Sequence, residues 1–363
     1  MNAGQRDPAA DPYATRLRHI DAIRAVAVML VLIHHFITPA WLAPGEKSPL
    51  LDGLTAMTQV IDFGRLGVNL FFVVSGYVIG HSLLGYPRHH LRQFAISRLC
   101  RLFPAYWLSL AFIVVFRPPS LDAGEIAVNA AMIQKFVGVK DAIGVYWTLA
   151  VELAFYVLCA VLFVAGVLAR TRRLIWVFVL LAGYATAAAV LRYATGIALP
   201  FAWPVFLSLM VGGLILRRWN EEARPRDARF WGAVALYLAA MLVTSYAIYH
   251  DPAPYQKSWI KDYLAVALAA AGFLVLHYRI KIRWRAFSFV GVVSYSLYLF
   301  RTPVIALVID AMQAAGMIGR VPPWLSLVIV MVCSLGVAAL LFYAVEKPGV
   351  RLGRRQRRAV TQG

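Results

Sequence analysis

The stretch IDAIRAVAVMLVLIHHFIT, from Ile20 to Thr38, is apolar over most of its length and long enough to cross a lipid bilayer as one helix. Apolar stretches of similar length recur to the end of the chain. Of the 363 residues, 61% are hydrophobic and only 15% are charged, which is too little charge to cover the surface of a soluble protein of this length. The sequence therefore predicts an all-α integral membrane protein.

About ten transmembrane helices are predicted, in one membrane domain that covers residues 20–346. This domain lies between a cytoplasmic N-terminal segment, residues 1–19, and a basic cytoplasmic tail, residues 347–363. The third and sixth spans are short for a bilayer, so we expect them to tilt, to extend into flanking residues or to lie partly within protein. The predicted spans are Ile20–Thr38, Gly67–Leu84, Pro104–Phe116, Val145–Leu168, Leu174–Leu191, Trp203–Leu216, Phe230–Tyr249, Trp259–His277, Phe287–Ile309 and Trp324–Val345.

The placement of arginine and lysine predicts the orientation of these spans. Every second connection is enriched in basic residues, and enriched connections usually face the cytoplasm. We therefore expect both termini and the loop at Pro225 in the cytoplasm, and Leu121 and Pro252 on the other side. The net charge of +19 lies in these short loops rather than in a separate basic domain, so nucleic-acid binding is not expected. The enriched connections carry Arg16 and Arg18; Arg88, Arg92, Arg98 and Arg101; Arg170, Arg172 and Arg173; Arg217, Arg218, Arg224, Arg226 and Arg229; Arg279, Lys281, Arg283 and Arg285; and the tail from Lys347 to Arg358, whereas the alternate connections carry only Lys47, Lys135, Lys140, Lys257 and Arg320.

Four polar residues lie in the first span: Asp21, Arg24, His34 and His35. Charged groups inside a membrane helix usually face a cavity or a partner. Arg24 and His35 are about three turns and roughly 16 Å apart on one helix face, whereas His34 points about 100° away. The pattern indicates a lined cavity. The alternative is an Asp21–Arg24 pair that anchors the helix end, together with a histidine that is hydrogen-bonded within the bundle.

A second polar feature is the pair Arg98 and Arg101, which is expected on the cytoplasmic side at the entry to the third span. Arginines three residues apart share a helix face, and guanidinium groups bind phosphates through paired hydrogen bonds. Together with Arg88 and Arg92, they are suited to a polyphosphorylated donor such as coenzyme A. The alternative is that they contact lipid phosphates.

Three further positions inside predicted spans have both a structural and a functional interpretation. Ser75 and Gly76 are typical of close helix packing. Glu152 lies one helical turn from Thr148 on the same face; it is either a site residue or a buried partner for an arginine. Arg301, in the ninth span, needs a partner or a cavity for the same reason.

In combination, these segments resemble the bacterial acyltransferase-3 family of membrane O-acyltransferases. The resemblance covers nearly the whole chain, in the expected order. It departs from the family at Asn69, where an aspartate is frequent, and at Arg301, where a histidine is frequent, so a second catalytic histidine in the ninth span is not expected. The matching motifs are Ile20-Asp21-Ala-Ile-Arg24 with His35, Gly67–Tyr77, Arg98-x-x-Arg101 with Pro104-Ala-Tyr-Trp107, Trp147–Glu152, and Val345-Glu-Lys-Pro348.

The resemblance implies transfer of an acyl group, by default acetyl, from cytoplasmic acyl-CoA to a hydroxyl of a carbohydrate such as a surface polysaccharide, exopolysaccharide or glycolipid, in the inner membrane of a bacterium. It implies His35, Arg24 and Glu152 as catalytic residues, with Arg98 and Arg101 as contacts to the donor phosphates. The residues expected to contact substrate are Asp21, Ser75, Tyr77, Trp147 and Thr148.

Acyl-CoA is expected as a donor substrate rather than as a permanently bound cofactor. Because Cys100, Cys159 and Cys333 are far apart in the sequence, neither a disulfide nor a metal site is expected. The sequence leaves three matters open: whether His35 acts as a general base or forms an acyl intermediate, the oligomeric state, and the class of the protein. The alternative class is a small-molecule transporter with a relay of intramembrane Asp, Arg, His and Glu residues.

Overall fold

The computed structural model describes residues 18–37, 49–84, 90–116, 118–251 and 258–362, and all regular structure in these ranges is helical. Five residues that contribute to the predicted orientation, Arg16, Lys47, Arg88, Pro252 and Lys257, lie outside the described ranges. The helices are α1 (Arg18–Ile37), α2 (Pro49–Val60), α3 (Phe63–Leu84), α4 (His90–Phe116), α5 (Ala123–Ala130), α6 (Tyr146–Val164), α7 (Thr171–Thr195), α8 (Ala202–Glu221), α9 (Ala228–Tyr249), α10 (Trp259–Val275), α11 (Arg285–Val292), α12 (Ser294–Ala314), α13 (Pro323–Leu341) and α14 (Lys347–Gln362), with π-helical turns at Leu276–Ile280 and Phe342–Glu346.

The described helices confirm the prediction of an all-α protein that crosses the membrane many times. Eight of them are long and apolar enough to cross a bilayer, and a ninth span results if α2 and α3, which meet at a bend of 62°, are counted as one. The sixth predicted span corresponds to α8, which is not among these nine. The structure is thus roughly consistent with about ten spans.

The third predicted span is longer in the structure than in the prediction. Pro104 lies inside α4 rather than at its start, and the helix begins at His90. A proline inside a membrane helix is tolerated where neighbouring groups satisfy the freed backbone positions. Arg98 and Arg101 therefore lie within one long helix, as expected for a short span that extends into flanking residues.

Helix α3 is central to the bundle, since it packs against α1, α8 and α10. Its contact with α8 is close because glycines face backbone on both sides. A Cβ atom added at Gly76 would lie 1.8 Å from the carbonyl oxygen of Met210, and one at Gly213 would lie 2.1 Å from that of Val73. This is the close helix approach that the Ser-Gly pair in α3 predicts.

Helices α1 and α12 pack against each other, and both carry polar residues inside their spans. Helix α1 packs against α3, α11 and α12, and α12 packs in turn against α13 and α4. Most of the first half of α12 is buried, including Ser294, Ser296 and Arg301. Polar side chains buried in a helix bundle need hydrogen-bond partners, and these come from α11, from the π-helical turn Phe342–Glu346 and from α1.

Candidate active site

A cavity of about 90 Å³ lies between α1, α3, α4, α6 and α12. Much of the site predicted from the sequence lines this cavity, because residues three or four apart on each helix share one face. The predicted site residues that line it are Arg24, Ser75, Arg98, Arg101, Thr148 and Glu152. The other polar residues in its wall are Tyr156, Ser294, Tyr295 and Tyr298.

Arg98 is held in the cavity wall mainly by aromatic rings. Its guanidinium carbon lies 5.5 Å from the ring centre of Phe94 and 5.7 Å from that of Tyr156. Its Nε is buried without a hydrogen-bond partner, and no carboxylate of the described residues forms a salt bridge with it. The cationic group is therefore available to a negatively charged ligand in the cavity.

Arg101, in contrast, has acidic neighbours. The carboxylates of Glu152 and Glu346 both interact with it electrostatically. Glu152 also accepts a hydrogen bond from the hydroxyl of Tyr156, one turn further along α6. Glu346 is buried and accepts a hydrogen bond of 3.0 Å from Ser296 Oγ. Glu152 thus matches both predicted interpretations, since it lines the cavity and neighbours a buried arginine.

His35 lies behind the cavity wall, and both of its ring nitrogens have partners. Nδ1 is 2.8 Å from the carbonyl oxygen of Val31, which can only accept, so Nδ1 carries the proton. Nε2 is 3.4 Å from a terminal nitrogen of Arg301, which can only donate, so Nε2 presents its lone pair. The two contacts define a neutral imidazole in one tautomer, with Nε2 as the nitrogen that can accept a proton.

Arg301 and Tyr298 connect His35 to the cavity. Arg301 donates a hydrogen bond of 2.5 Å to the backbone carbonyl of Tyr298, and its guanidinium carbon lies 4.1 Å from the centre of the Tyr298 ring. The Tyr298 hydroxyl lies in the cavity wall, 2.9 Å from Thr148 Oγ1. Arg301 thereby has the partners that the sequence required, and the chain of contacts runs from His35 to the cavity.

His34 and His35 face different neighbours, as their helix positions predict. Their rings are 5.4 Å apart and nearly perpendicular, with an interplanar angle of 75°. His34 Nδ1 lies 3.8 Å from a carboxylate oxygen of Asp62. Asp62 in turn pairs with Arg65, which also pairs with Asp262. His34 is therefore a natural control for His35, since it is adjacent and chemically identical but has other partners.

Three residues expected to contact substrate do not line the cavity: Asp21, Tyr77 and Trp147. Asp21 is buried, with 4% of its surface exposed. The Tyr77 hydroxyl lies 3.2 Å from Nε2 of His277, and the Trp147 ring lies 5.0 Å from that of Phe206. For Tyr77 and Trp147 the physical reason is helical rotation, because residues one or two positions from Ser75 and Thr148 do not share their face. Asp21 is three positions from Arg24, but its backbone packs closely against Gly291 where α1 meets α11.

Sequence reasoning missed five polar residues around the cavity: Tyr156, Ser294, Tyr295, Tyr298 and Glu346. Three of them carry a periodic signal: Tyr156 follows Glu152 by four positions, and Tyr295 and Tyr298 are three apart, so in each case the two residues share a helix face. Glu346 carries no such signal, because it follows the last predicted span. Only the fold brings its carboxylate close to Arg101.

The chain matches a known protein family over most of its length. A family model described as an acyltransferase domain matches residues 17–343, which is most of the chain. The match includes α1 to α13, and therefore every helix that lines the cavity. No solved structure matches the chain.

Three curated relatives are similar over most of this chain. A Komagataeibacter xylinus protein named "Putative membrane-bound transacylase BcsY" is 28% identical, over 92% of this chain and 83% of its own length. A protein of Bacillus subtilis (strain 168) named "Putative peptidoglycan O-acetyltransferase YrhL" is 24% identical, over 83% of this chain and 54% of its own length. Nodulation protein 10 of Rhizobium leguminosarum bv. viciae is 23% identical, over 95% and 96% respectively.

Proposed function

This chain belongs to the acyltransferase-3 family of membrane acyltransferases, and we propose that it transfers an acyl group from cytoplasmic acyl-CoA to a hydroxyl of a carbohydrate. Family membership makes the protein an enzyme of acyl transfer, so the buried charged residues are interpreted as a catalytic site rather than as the relay of a transporter. What we propose beyond family membership is the identity of the donor, the identity of the acceptor and the side of the membrane from which each one binds.

One observation carries the proposal: a cavity with three arginines in its wall is linked through Tyr298 and Arg301 to the neutral His35. Guanidinium groups suit phosphate, because their planar arrangement of donors matches its oxygens. Coenzyme A combines phosphates with a flexible thioester arm. With the phosphates near Arg98 and Arg101, the arm would extend through the cavity towards Tyr298.

The proposed reaction is a direct transfer with His35 as general base. Nε2 of His35 takes the proton of the acceptor hydroxyl, and the hydroxyl oxygen forms a bond to the thioester carbonyl carbon. The C–S bond then breaks, and the departing thiolate of coenzyme A takes the proton from the imidazolium. The products are an ester and free coenzyme A. The tautomer of His35 supports this step, because the ring nitrogen that carries no proton is Nε2, whose lone pair faces Arg301.

We propose acetyl as the acyl group and a carbohydrate as the acceptor. The cavity volume of about 90 Å³ corresponds to roughly six to nine water molecules, which favours a small acyl group. The name of the Bacillus subtilis relative refers to O-acetylation of peptidoglycan, which supports a glycan as acceptor.

Turnover of labelled acetyl-CoA by the purified protein in lipid nanodiscs tests the activity. We expect release of free coenzyme A and a base-labile acetyl ester on an added glycan. His35→Ala serves as the matched inactive control. The proposal is wrong if well-folded wild-type protein neither binds nor consumes acyl-CoA, or if His35→Ala protein releases coenzyme A at the wild-type rate.

Reporter fusions test the proposed location in the inner membrane and the sidedness of the donor. We expect both termini and the Pro225 loop in the cytoplasm and Leu121 on the opposite side, because of the alternation of basic connections. A reporter at Pro252, outside the described residues, is expected on the same side as Leu121. A cytoplasmic signal at Leu121, or an external one at Pro225, would overturn this topology.

A further inference from the structure

Arg301 is a buried cation whose charge no described acidic residue neutralises. Only 2% of its surface is exposed. Its contacts are the backbone carbonyl and ring of Tyr298 and the ring nitrogen of His35. Its Nε is buried and has no hydrogen-bond partner. Within the described ranges, no carboxylate forms a salt bridge with it.

This arrangement is unfavourable in two ways. A buried ion that lacks a counter-charge retains a desolvation penalty, which a carbonyl and an aromatic ring offset only in part. A cation beside His35 also opposes the imidazolium that forms when this residue accepts a proton. Both effects are relieved if a negative charge arrives between the two groups.

We propose that Arg301 is a catalytic residue that stabilises the negative oxygen formed on the acyl carbonyl during transfer, an inference that rests on the proposed function. When the acceptor oxygen bonds to the carbonyl carbon, the electron pair of the C=O bond moves to its oxygen. When the C–S bond breaks, that pair re-forms the carbonyl. Arg301 keeps its protons throughout, since a guanidinium does not deprotonate in proteins.

The geometry places Arg301 where this charge develops. The acceptor hydroxyl must lie within hydrogen-bond distance of His35 Nε2 to give up its proton. The carbonyl oxygen is only two bonds from the attacking oxygen. The Arg301 nitrogen that is 3.4 Å from Nε2 is therefore close to both atoms. A fixed donor near the developing charge, in a site from which water is excluded, is the arrangement that lowers such a barrier most.

Three substitutions separate this role from a simpler one, in which Arg301 only orients the His35 ring. Arg301→Gln keeps a hydrogen-bond donor but removes the charge. Arg301→Met removes both, and Arg301→Lys keeps the charge but not the planar group. We expect Gln and Met to lower kcat by about 10²- to 10³-fold with an unchanged KM for acyl-CoA. Lys should recover part of the loss.

Nitrogen-15 NMR of the histidine side chains supplies a second measurement. The Val31 carbonyl still requires the proton on Nδ1 after substitution, so the His35 tautomer should be the same in wild type and Arg301→Gln. A low kcat with an unaltered tautomer supports the role in charge stabilisation. Wild-type kcat in Arg301→Gln would show that hydrogen bonding to His35 suffices, which overturns the proposal.

The outcomes also separate this inference from the proposed function. If the wild type turns over acyl-CoA but all three variants do so equally well, only the role of Arg301 is wrong. If the wild type fails to use acyl-CoA, the proposed function is wrong first. If Arg301→Met does not fold, the comparison of Arg301→Gln with Arg301→Lys still tests the role in charge stabilisation. Both variants place a polar donor at this position, and they differ in charge.

Discussion

The half-buried Arg65 and the buried Arg301 differ in how their charges are compensated. Arg65 pairs with the carboxylates of Asp62 and Asp262. Arg301 has no carboxylate partner among the described residues and instead contacts His35 and the Tyr298 ring. Asp62, Arg65 and Asp262 form a paired cluster, and His35, Tyr298 and Arg301 form an unpaired site. Of the two adjacent histidines of α1, His34 lies beside the paired cluster and His35 belongs to the unpaired site.

The paired cluster has the character of a structural element. Asp262 accepts a further hydrogen bond of 2.9 Å from Ser245, and the guanidinium carbon of Arg65 lies 5.6 Å from the centre of the Tyr249 ring. Its charges are satisfied within the protein. The charge of Arg301 in the unpaired site is not satisfied in this way. A site that must bind an anion transiently cannot also contain a permanent negative charge. Buried charge therefore indicates function where its compensation is incomplete.

The largest expected effect separates the two histidines. His35→Ala should lower acyl transfer by about 10²- to 10⁴-fold, because it removes the general base. It should leave expression and acyl-CoA binding intact. The transfer rate of the wild type should also fall as the pH is lowered, since only the neutral imidazole accepts a proton. Initial rates with labelled acetyl-CoA, measured across a pH series, check both statements.

His34→Ala is the control for this substitution. It removes an identical ring one residue away, next to Asp62, and should affect the rate much less. If His35→Ala keeps most of its activity in a folded protein, the catalytic assignment is wrong. If His34→Ala is as inactive as His35→Ala, although it is stable and binds donor, the division between the two regions fails.

The second prediction concerns stability and tests the paired cluster. Arg65→Met leaves two carboxylates without their partner, so we expect a loss of about 1–3 kcal/mol in the free energy of unfolding, because the pairs are half-buried rather than fully buried. Arg301→Met should lose much less stability, because no carboxylate pairs with Arg301. Thermal and denaturant unfolding in the same detergent compares the two variants.

A double variant supplies the control for Arg65. In Arg65→Met with Asp262→Asn, one of the two orphaned charges is removed, and part of the lost stability should return. Equal stability of Arg65→Met and Arg301→Met would contradict the comparison, because both arginines would then have the same structural role.

The third prediction extends the comparison to the cavity, where Arg98 has no carboxylate partner among the described residues and Arg101 has Glu152 and Glu346 nearby. Arg98→Ala should weaken acyl-CoA binding by roughly tenfold or more, which corresponds to a lost charge-assisted contact of about 1.5–3 kcal/mol. Arg101→Ala should weaken binding and also reduce stability, because it leaves acidic groups without a partner. Equilibrium binding and unfolding of each variant give the two quantities.

Lysine substitutions are the matched controls here. Arg98→Lys should recover binding only in part, since the ammonium lacks the planar arrangement of donors. If the double alanine variant binds acyl-CoA as well as the wild type, the two arginines contact lipid phosphates instead, as the alternative interpretation of the sequence states.

Much of this site could be predicted from the sequence because its signals are local. Arg24, Ser75, Thr148 and Glu152 are polar residues inside apolar stretches, Arg98 belongs to the basic segment before the third predicted span, and each lines the cavity. Intramembrane polarity is a strong signal, because each such group needs a partner or water. Helix spacing then identifies which residues share a face.

The rest could not be predicted because it depends on contacts between distant segments. The sequence indicates that Arg301 needs a partner, but only the packing of α12 on α1 shows that this partner is His35. In the same way, the sequence places Tyr77 beside Ser75, but the bundle directs its hydroxyl to His277, away from the cavity. Long-range partners follow from tertiary packing rather than from periodicity.

The smallest expected effect concerns Tyr298, which joins the unpaired site to the cavity. Tyr298→Phe removes the hydroxyl that lies 2.9 Å from Thr148 Oγ1 but keeps the ring beside Arg301. A neutral hydrogen bond contributes about 0.5–1.5 kcal/mol, so the rate should fall by no more than roughly tenfold. Tyr298→Leu also removes the ring and should cost more, because Arg301 then loses its only aromatic contact among the described residues. Thr148→Val, which deletes the other half of the same hydrogen bond, should match Tyr298→Phe. If Tyr298→Phe instead abolishes transfer while Thr148→Val does not, the Tyr298 hydroxyl acts directly on the substrate. The cavity and the unpaired site would then form one catalytic site.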